Sequence, residues 1–102
     1  MPSSEEQLRL TVAALLYATG ETQTDLGAGI GRGQTEISRR QSGATPWTLI
    51  DLDRLAEHYG IPVPDLLCGA DHAVARLPAH RRAAVLGGTQ TVIDTPDRGK
   101  RR

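Results

Sequence analysis

The sequence predicts an all-α fold, and three observations support this prediction. Apolar residues recur at helical spacing through residues 5–69, and no strand-like alternation of apolar and polar residues occurs before residue 88. Serine and threonine stand where helices would begin, and glycine stands where they would end. Together these observations predict a compact five-helix domain over residues 1–69, followed by a weakly structured extension over residues 70–102.

Length and composition restrict the class of protein. The chain has 102 residues, which suits one domain, and a single cysteine, which excludes an internal disulfide. Its 12 basic and 12 acidic residues give no net charge, although Arg32, Arg39 and Arg40 are grouped and the last five residues are mostly basic. With neither a leader-like segment nor a long apolar run, we expect a soluble cytoplasmic protein that does not enter a membrane.

The first predicted helix covers residues 3–18. Two pairs in its first turn, Ser3 with Glu6 and Ser4 with Gln7, have the spacing of a capping box. One helical face is apolar, which indicates that it is buried. That face consists of Leu8, Val12, Leu15 and Leu16.

The second predicted helix begins after Thr22, which has a capping-box partner in Asp25. Leu26 and Ile30 form its buried pair, and Gly31 ends it. Two glycines inside this helix are unusual, because each costs about 1 kcal/mol relative to alanine. Gly27 would allow close approach of another helix, whereas the pattern gives no reason for Gly29.

Three further helical segments follow. The third runs from about Gln34 to Gln41 and is ended by Ser42 and Gly43. The fourth runs from about Pro46 to Tyr59, with Thr45 as its N-cap and Pro46 in the first helical position. The fifth is short and covers residues 62–67. In the extension, residues 71–86 suggest short helices, 89–95 have β-branched character, and the basic end is expected to be disordered.

The third helix has an unusual exposed face. At 100° per residue, five polar residues fall within a sector about 140° wide, while Ile37 points towards the core and Glu36 and Arg40 lie on the flank. The five residues are Gln34, Thr35, Ser38, Arg39 and Ser42. None is acidic, and glutamine, arginine and threonine can contact adenine, guanine and thymine edges in the major groove. The pattern therefore favours DNA recognition by helix 34–42.

The order of the elements resembles the Cro/C1-type (lambda-repressor-like, XRE) helix-turn-helix family over residues 5–69. The residues that carry the resemblance are Thr22-Gln23, Leu26, Ile30-Gly31, Ile37-Ser38-Arg39, Gly43, Leu52, Leu55-Ala56, Tyr59-Gly60-Ile61, Asp65-Leu66-Leu67 and Gly69. Two positions depart from the family pattern. Gly27 stands where alanine is usual, and Arg40 stands where leucine or tryptophan is common.

The resemblance implies a lambda-repressor-like fold and specific roles for individual residues. Gln34, Thr35 and Arg39 correspond to positions that touch base edges, and Ser38 lies on the same face. Gln23 resembles the family's phosphate-clamping glutamine at a helix N-terminus. The remaining expected contacts to the DNA backbone are Arg32, Arg40, Ser42 and Thr45.

Other sites are less well supported by the sequence. The alternating glycines of residues 27–33 match no nucleotide-binding motif, and no strand precedes them. The three histidines have no metal-ligand spacing with each other or with Cys68, which we expect to be a small buried side chain. Trp47 is expected to pack beneath the third and fourth helices. We expect no metal, cofactor or enzymatic activity.

The function expected from these patterns is that of a transcriptional regulator, in particular a phage or mobile-element-type repressor. It would bind double-stranded DNA as a homodimer on an inverted repeat, with its dimer interface either at Leu66 and Leu67 or at residues 89–95. Two alternatives remain open. An antitoxin-type protein would bind a partner protein through residues 70–102, and an interaction module would keep the fold without binding DNA.

Overall fold

The computed structural model describes residues 3–83, and this part of the chain is helical and contains no strand. The helices are α1 (Ser4–Thr19), α2 (Gln23–Ile30), α3 (Gln34–Ser42), α4 (Leu49–Tyr59), α5 (Val63–Leu66) and α6 (Ala70–Ala75), followed by a 3-10 helix (Ala79–Arg81). The all-α prediction is therefore confirmed for the described residues. The sequence segments 89–95 and 97–102, for which we predicted strand character and a disordered basic tail, lie outside them.

Reciprocal side-chain hydrogen bonds fix where several helices begin. The Ser3 hydroxyl accepts from the Glu6 N–H at 3.1 Å, and the Glu6 carboxylate accepts from the Ser3 N–H at 2.9 Å. The same exchange joins Thr22 and Asp25 at the start of α2. These bonds satisfy N–H groups that have no partner within the helix. Of the two possible caps for α1, the structure uses Ser3.

The start of α4 differs from the prediction by three residues. The helix begins at Leu49, and its N-cap is Thr48, whose hydroxyl accepts from the Asp51 N–H at 3.1 Å. Asp51 Oδ2 accepts the Thr48 N–H in return at 3.0 Å. Thr45 and Pro46 belong instead to a connector, and the Thr45 N–H donates to the carbonyl of Arg39. Thr45 is therefore not the cap of this helix.

One hydrophobic core joins all six helices. Its fully buried side chains include Val12, Leu15, Leu26, Ile37, Leu55, Tyr59, Ile61 and Leu66. Helix α6 packs along α1, and it adds Ala73 to this core, with Leu77 following just after the helix. Residues 70–83 are thus part of the packed body, whereas we had placed the end of the domain at residue 69.

A polar cluster holds the 3-10 helix against the body. Glu21 Oε2 lies 2.8 Å from His58 Nε2 and accepts from Arg81 at 3.0 Å. Two residues further on, the Ala83 N–H donates to the carbonyl of Ala18 at 2.9 Å. Charged and hydrogen-bonded groups therefore connect three parts of the protein: the corner between α1 and α2, helix α4, and the 3-10 helix.

The two interior glycines of α2 have separate packing reasons. A Cβ atom at position 27 would overlap the backbone carbonyl of Arg32, so this glycine allows the turn after α2 to fold back closely. A Cβ atom at position 29 would overlap the imidazole of His58. Gly29, for which the sequence offered no explanation, therefore makes room for the polar cluster around Glu21.

Candidate nucleic-acid interface

Helix α3 is held between two glycine turns and anchored by one apolar side chain. Gly31 (φ 76°) is the C-cap of α2 and Gly43 (φ 87°) is the C-cap of α3, and this left-handed conformation suits glycine. Between the two helices lie three residues, 31–33. Ile37 is completely buried and fixes which side of α3 faces the core.

We call the opposite side of this helix the α3 face; it comprises Gln34, Thr35, Ser38, Arg39 and Ser42. Four of these residues are exposed, and Ser38 is half-buried. The orientation predicted from the helical wheel is therefore confirmed. The α3 face contains two amide or guanidinium groups and three hydroxyl groups, and no carboxylate.

The structure brings together two of the predicted DNA-contacting residues at the N-terminal ends of α2 and α3. The side-chain amide of Gln34 donates to Oε1 of Gln23 at 3.0 Å. Gln23 is the first residue of α2 and Gln34 the first of α3. The hydrogen bond restrains both side chains on one surface and uses only the oxygen of the Gln23 amide. Within residues 3–83 the N–H groups of that amide have no acceptor, so they can donate to a group outside the protein.

A second group of predicted residues meets at the other end of α3. Arg39 Nε donates to the Thr45 hydroxyl at 3.3 Å, and the Ser42 hydroxyl donates to the Arg39 carbonyl at 3.0 Å. The Arg39 guanidinium is exposed and forms no ion pair among the described residues. Its terminal nitrogen atoms are therefore available for a guanine edge or a phosphate.

Arg40 lies in a different environment from the one expected. We predicted a position on the flank of α3, but its side chain is only 8% exposed. Its Nε donates to Asp51 Oδ2 at 2.9 Å, and its guanidinium carbon lies 5.9 Å from the centre of the Trp47 ring. The guanidinium is satisfied inside the protein, so Arg40 is not part of the exposed surface. Its contribution is to attach α3 to α4.

Arg32, another expected backbone contact, is also held by Asp51. Its Nε donates to Asp51 Oδ1 at 2.8 Å, and its side chain is 22% exposed. A second, weaker contact places Arg32 3.8 Å from the carboxylate of Glu36. Because these two acidic groups already engage the guanidinium, Arg32 has less charge to offer a phosphate than its sequence position suggested.

Asp51 is the residue that sequence analysis missed. Burial opposes the ionisation of its carboxyl group, but hydrogen bonds from the Thr48 backbone, Arg40 and Arg32 outweigh this effect and lower its pKa to about 2. The carboxylate is thus ionised at neutral pH while fully buried. The available signal was the spacing from Thr48 to Asp51, which matches that from Thr22 to Asp25.

Trp47 packs as expected. It is buried, and its indole N–H donates to the side-chain oxygen of Gln41 at 3.3 Å.

Two other expectations about buried and exposed residues were wrong. Cys68 is exposed, because it lies in the turn between α5 and α6, and Leu66 is fully buried in the core and so is not available to a dimer partner. Leu67 remains about half exposed.

Comparisons with known protein families, curated proteins and solved structures found no match to this chain. Among residues 3–83, no helix has both the length and the hydropathy needed to cross a membrane.

Proposed function

We propose that this protein is a sequence-specific DNA-binding regulator of lambda-repressor-like fold and that it reads the major groove with α3. The observation that carries the proposal is the α3 face, which presents only hydrogen-bonding side chains and one exposed guanidinium. A merely solvated helix face usually mixes lysine with glutamate. Here the acidic residue on the same helix, Glu36, is already engaged within the protein. Its carboxylate accepts the Gly33 N–H at 2.8 Å and lies 3.8 Å from the Arg32 guanidinium.

The proposed contacts divide into two classes. Gln34, Thr35, Ser38 and Arg39 supply the amide, hydroxyl and guanidinium groups that discriminate base edges. Gln23, at the N-terminus of α2, supplies amide donors and a favourable helix dipole for a phosphate. Ser42 and Thr45, near Arg39, are proposed backbone contacts, whereas Arg40 is not, because it is buried. Arg32 would contribute only if it left Asp51.

The regulator would act as a homodimer, for an energetic reason. One helix reads only a few base pairs, which is too little to distinguish a site from the many competing sequences of a genome. Two copies on half-sites about one helical turn apart would supply the missing specificity. Sedimentation of the protein with and without its DNA site tests this part, and a monomer under both conditions would contradict it.

Selection of binding sites from random duplex DNA, with the full-length chain at low salt, tests the function directly. A palindromic consensus is the expected result and would also give the operator. An asymmetric consensus would support DNA reading but contradict the symmetric dimer. Absence of any enriched sequence, for a protein shown to be folded by circular dichroism, would contradict sequence-specific DNA binding.

A further inference from the structure

The turn between α5 and α6 brings together three different metal-binding side chains. They are Asp65 on α5, Cys68 in the turn and His72 on α6. One ligand atom from each, a carboxylate oxygen, the Sγ atom and an imidazole nitrogen, lies within 4.8 Å of the other two. The sequence pattern was interpreted as giving Cys68 and the histidines no metal-ligand spacing, and Asp65 was not considered. The structure instead places ligand atoms of Cys68 and His72 within 4.8 Å of each other.

We propose that Asp65, Cys68 and His72 bind a zinc ion. Zinc accepts thiolate, imidazole and carboxylate ligands together, whereas magnesium and calcium prefer oxygen ligands alone. With bond lengths of about 2.0–2.3 Å, ligand atoms around a tetrahedral zinc ion are about 3.3–3.8 Å apart. The three ligand atoms lie within 4.8 Å of one another, and Asp65 Oδ1 and His72 Nε2 are 2.7 Å apart, so side-chain rotations would be needed to bring all three separations into this range.

The contacts within the cluster show what an ion would replace. Asp65 Oδ1 and His72 Nε2 are 2.7 Å apart, and the Cys68 thiol donates to the carbonyl of Pro64 at 3.2 Å. A bound ion would take the place of the proton between carboxylate and imidazole. It would also displace the thiol proton to solvent, since zinc binds the thiolate. The contact between the Asp65 carboxylate and the His72 imidazole already holds these two proposed ligands next to each other.

The surroundings allow an ion to enter. Cys68 is exposed, and the His72 side chain is 43% exposed, so the fourth position of a tetrahedron is open to water. Arg76 is the competing cation, with its Nε 3.6 Å from Asp65 Oδ2, but its side chain is 57% exposed and free to move away. A Cβ atom added at Gly69 (φ 107°) would meet no atom within 4 Å, so this side of the turn is not crowded. The ion would connect α5 directly to α6.

Cobalt(II) substitution tests the proposal sharply, because Cys68 is the only cysteine of the chain. The full-length protein, kept reduced with a phosphine, is titrated with Co²⁺ and then with Zn²⁺. We expect a thiolate-to-cobalt charge-transfer band that saturates at one ion per chain and disappears when Zn²⁺ is added. No other side chain in the protein can produce this band. Its absence at saturating Co²⁺ would overturn the proposal.

Variants assign the remaining ligands. Cys68→Ser should abolish the band. His72→Gln and Asp65→Asn should each weaken Zn²⁺ binding by at least about 10-fold, because loss of even a hydrogen-bond partner of a metal ligand typically costs that much. His80→Gln and Asp71→Asn are the matched controls, because both residues are exposed and outside the cluster. Equal Zn²⁺ affinity of the parent and the His72→Gln variant, with both folded in thermal melts, would contradict the proposed ligand set.

Discussion

Arg40 Nε donates to Asp51 Oδ2 across 2.9 Å in the interior of the protein, where Asp51 is fully buried. The same carboxylate accepts from Arg32 through its other oxygen and caps α4 through the Thr48 N–H. One ionised group therefore connects the turn before α3, the body of α3 and the start of α4. The orientation of the α3 face depends on an ion pair located behind it.

Removal of the Asp51 charge should destabilise the protein strongly. In Asp51→Asn, the Arg40 guanidinium would remain buried without a counter-ion, and losses of about 3–5 kcal/mol are typical of such changes. Arg40→Met removes that buried cation. The loss of unfolding free energy in the Asp51→Asn/Arg40→Met double variant should therefore be at least about 1 kcal/mol smaller than the sum of the losses in the two single variants. Urea unfolding of the four proteins measures this coupling. Arg39→Met, at an exposed position, is the control and should change stability little.

The same carboxylate predicts how stability depends on pH. The pKa of Asp51 is about 2 in the folded protein and about 3.9 in an unfolded chain, so the folded state gains about 2 kcal/mol from its ionisation. This contribution is complete above about pH 5 and is progressively lost as the pH falls through about 4 to 2 and below. Unfolding free energies measured between pH 5 and pH 2 should therefore decline less steeply in Asp51→Asn than in the parent protein.

Asp25 provides the matched control for the acid titration. Its carboxylate accepts the N–H of Thr22, the N-cap of α2, just as that of Asp51 accepts the N–H of Thr48, the N-cap of α4. Hydrogen bonds from the Thr22 backbone and hydroxyl lower the pKa of Asp25. Unlike Asp51, it is exposed to solvent and pairs with no arginine among residues 3–83. Asp25→Asn should therefore retain most of the acid-dependent loss of stability. If the two variants flattened the pH dependence equally, the buried ion pair would not be its main source.

Helix ends followed from the sequence where local chemistry alone determines them. Glycine after an apolar run and a threonine three residues before an aspartate act within one turn, which is why the bounds of α2 were predictable. For α3, whose first turn has no such threonine, Gly43 marked the end of the helix to within one residue. At α4 two such local signals competed. Thr48 with Asp51 prevailed over Thr45 with Pro46, because Asp51 also binds two arginines and Trp47 is buried in the connector. These contacts are tertiary and leave no local pattern.

The sequence predicted the residues on the exposed side of α3, but not the contacts that its buried side makes with α4. A helical wheel places Ile37 inwards and Gln34 outwards from hydropathy alone, but it assigns every arginine to the solvent. Arg40 is buried because its partner comes from α4, 11 positions along the chain. For the same reason α6 was underestimated. The helix adds Ala73 to the core, Val74 packs against it in part and Leu77 follows just after the helix, and the burial of Ala73 depends on the packing of α6 along α1.

Two glycine-to-alanine substitutions in α2 should both destabilise the protein, and only one of the two losses should be relieved by removing a neighbouring side chain. Alanine at either position gains about 1 kcal/mol of helix propensity, but both added methyl groups meet an obstacle. In Gly27→Ala the obstacle is the Arg32 backbone carbonyl, which cannot rotate away as a side chain can, so a net loss of about 1–3 kcal/mol is expected. In Gly29→Ala it is the His58 ring, which is held by Glu21.

Truncation of His58 distinguishes the two cases. Gly29→Ala should be destabilising in the parent protein and neutral or stabilising in a His58→Ala background, whereas Gly27→Ala should be equally destabilising in both. Thermal or urea unfolding gives the required free energies. A Gly29→Ala penalty that persisted without the imidazole would show that the ring is not the cause.

The last prediction concerns DNA and separates base reading from backbone clamping. Arg39→Ala should cost about 1–3 kcal/mol on the selected site and relax preference at one base position, because its exposed guanidinium is proposed to contact a base edge. Gln23→Ala should instead weaken binding to all sequences by a similar factor. Gln34 links the two classes, since it is proposed to contact a base and also holds Gln23 through the 3.0 Å hydrogen bond.

Gln34→Ala is therefore expected to show both effects, a changed base preference and a loss of affinity shared by all sequences. Competition binding on the selected site and on a set of single-base variants, at two salt concentrations, resolves them. Thr24→Ala, on the exposed side of α2 and outside the proposed contacts, is the control. If Arg39→Ala and Gln23→Ala lowered affinity by the same factor on every sequence, the assignment of α3 as the base-reading element would be wrong.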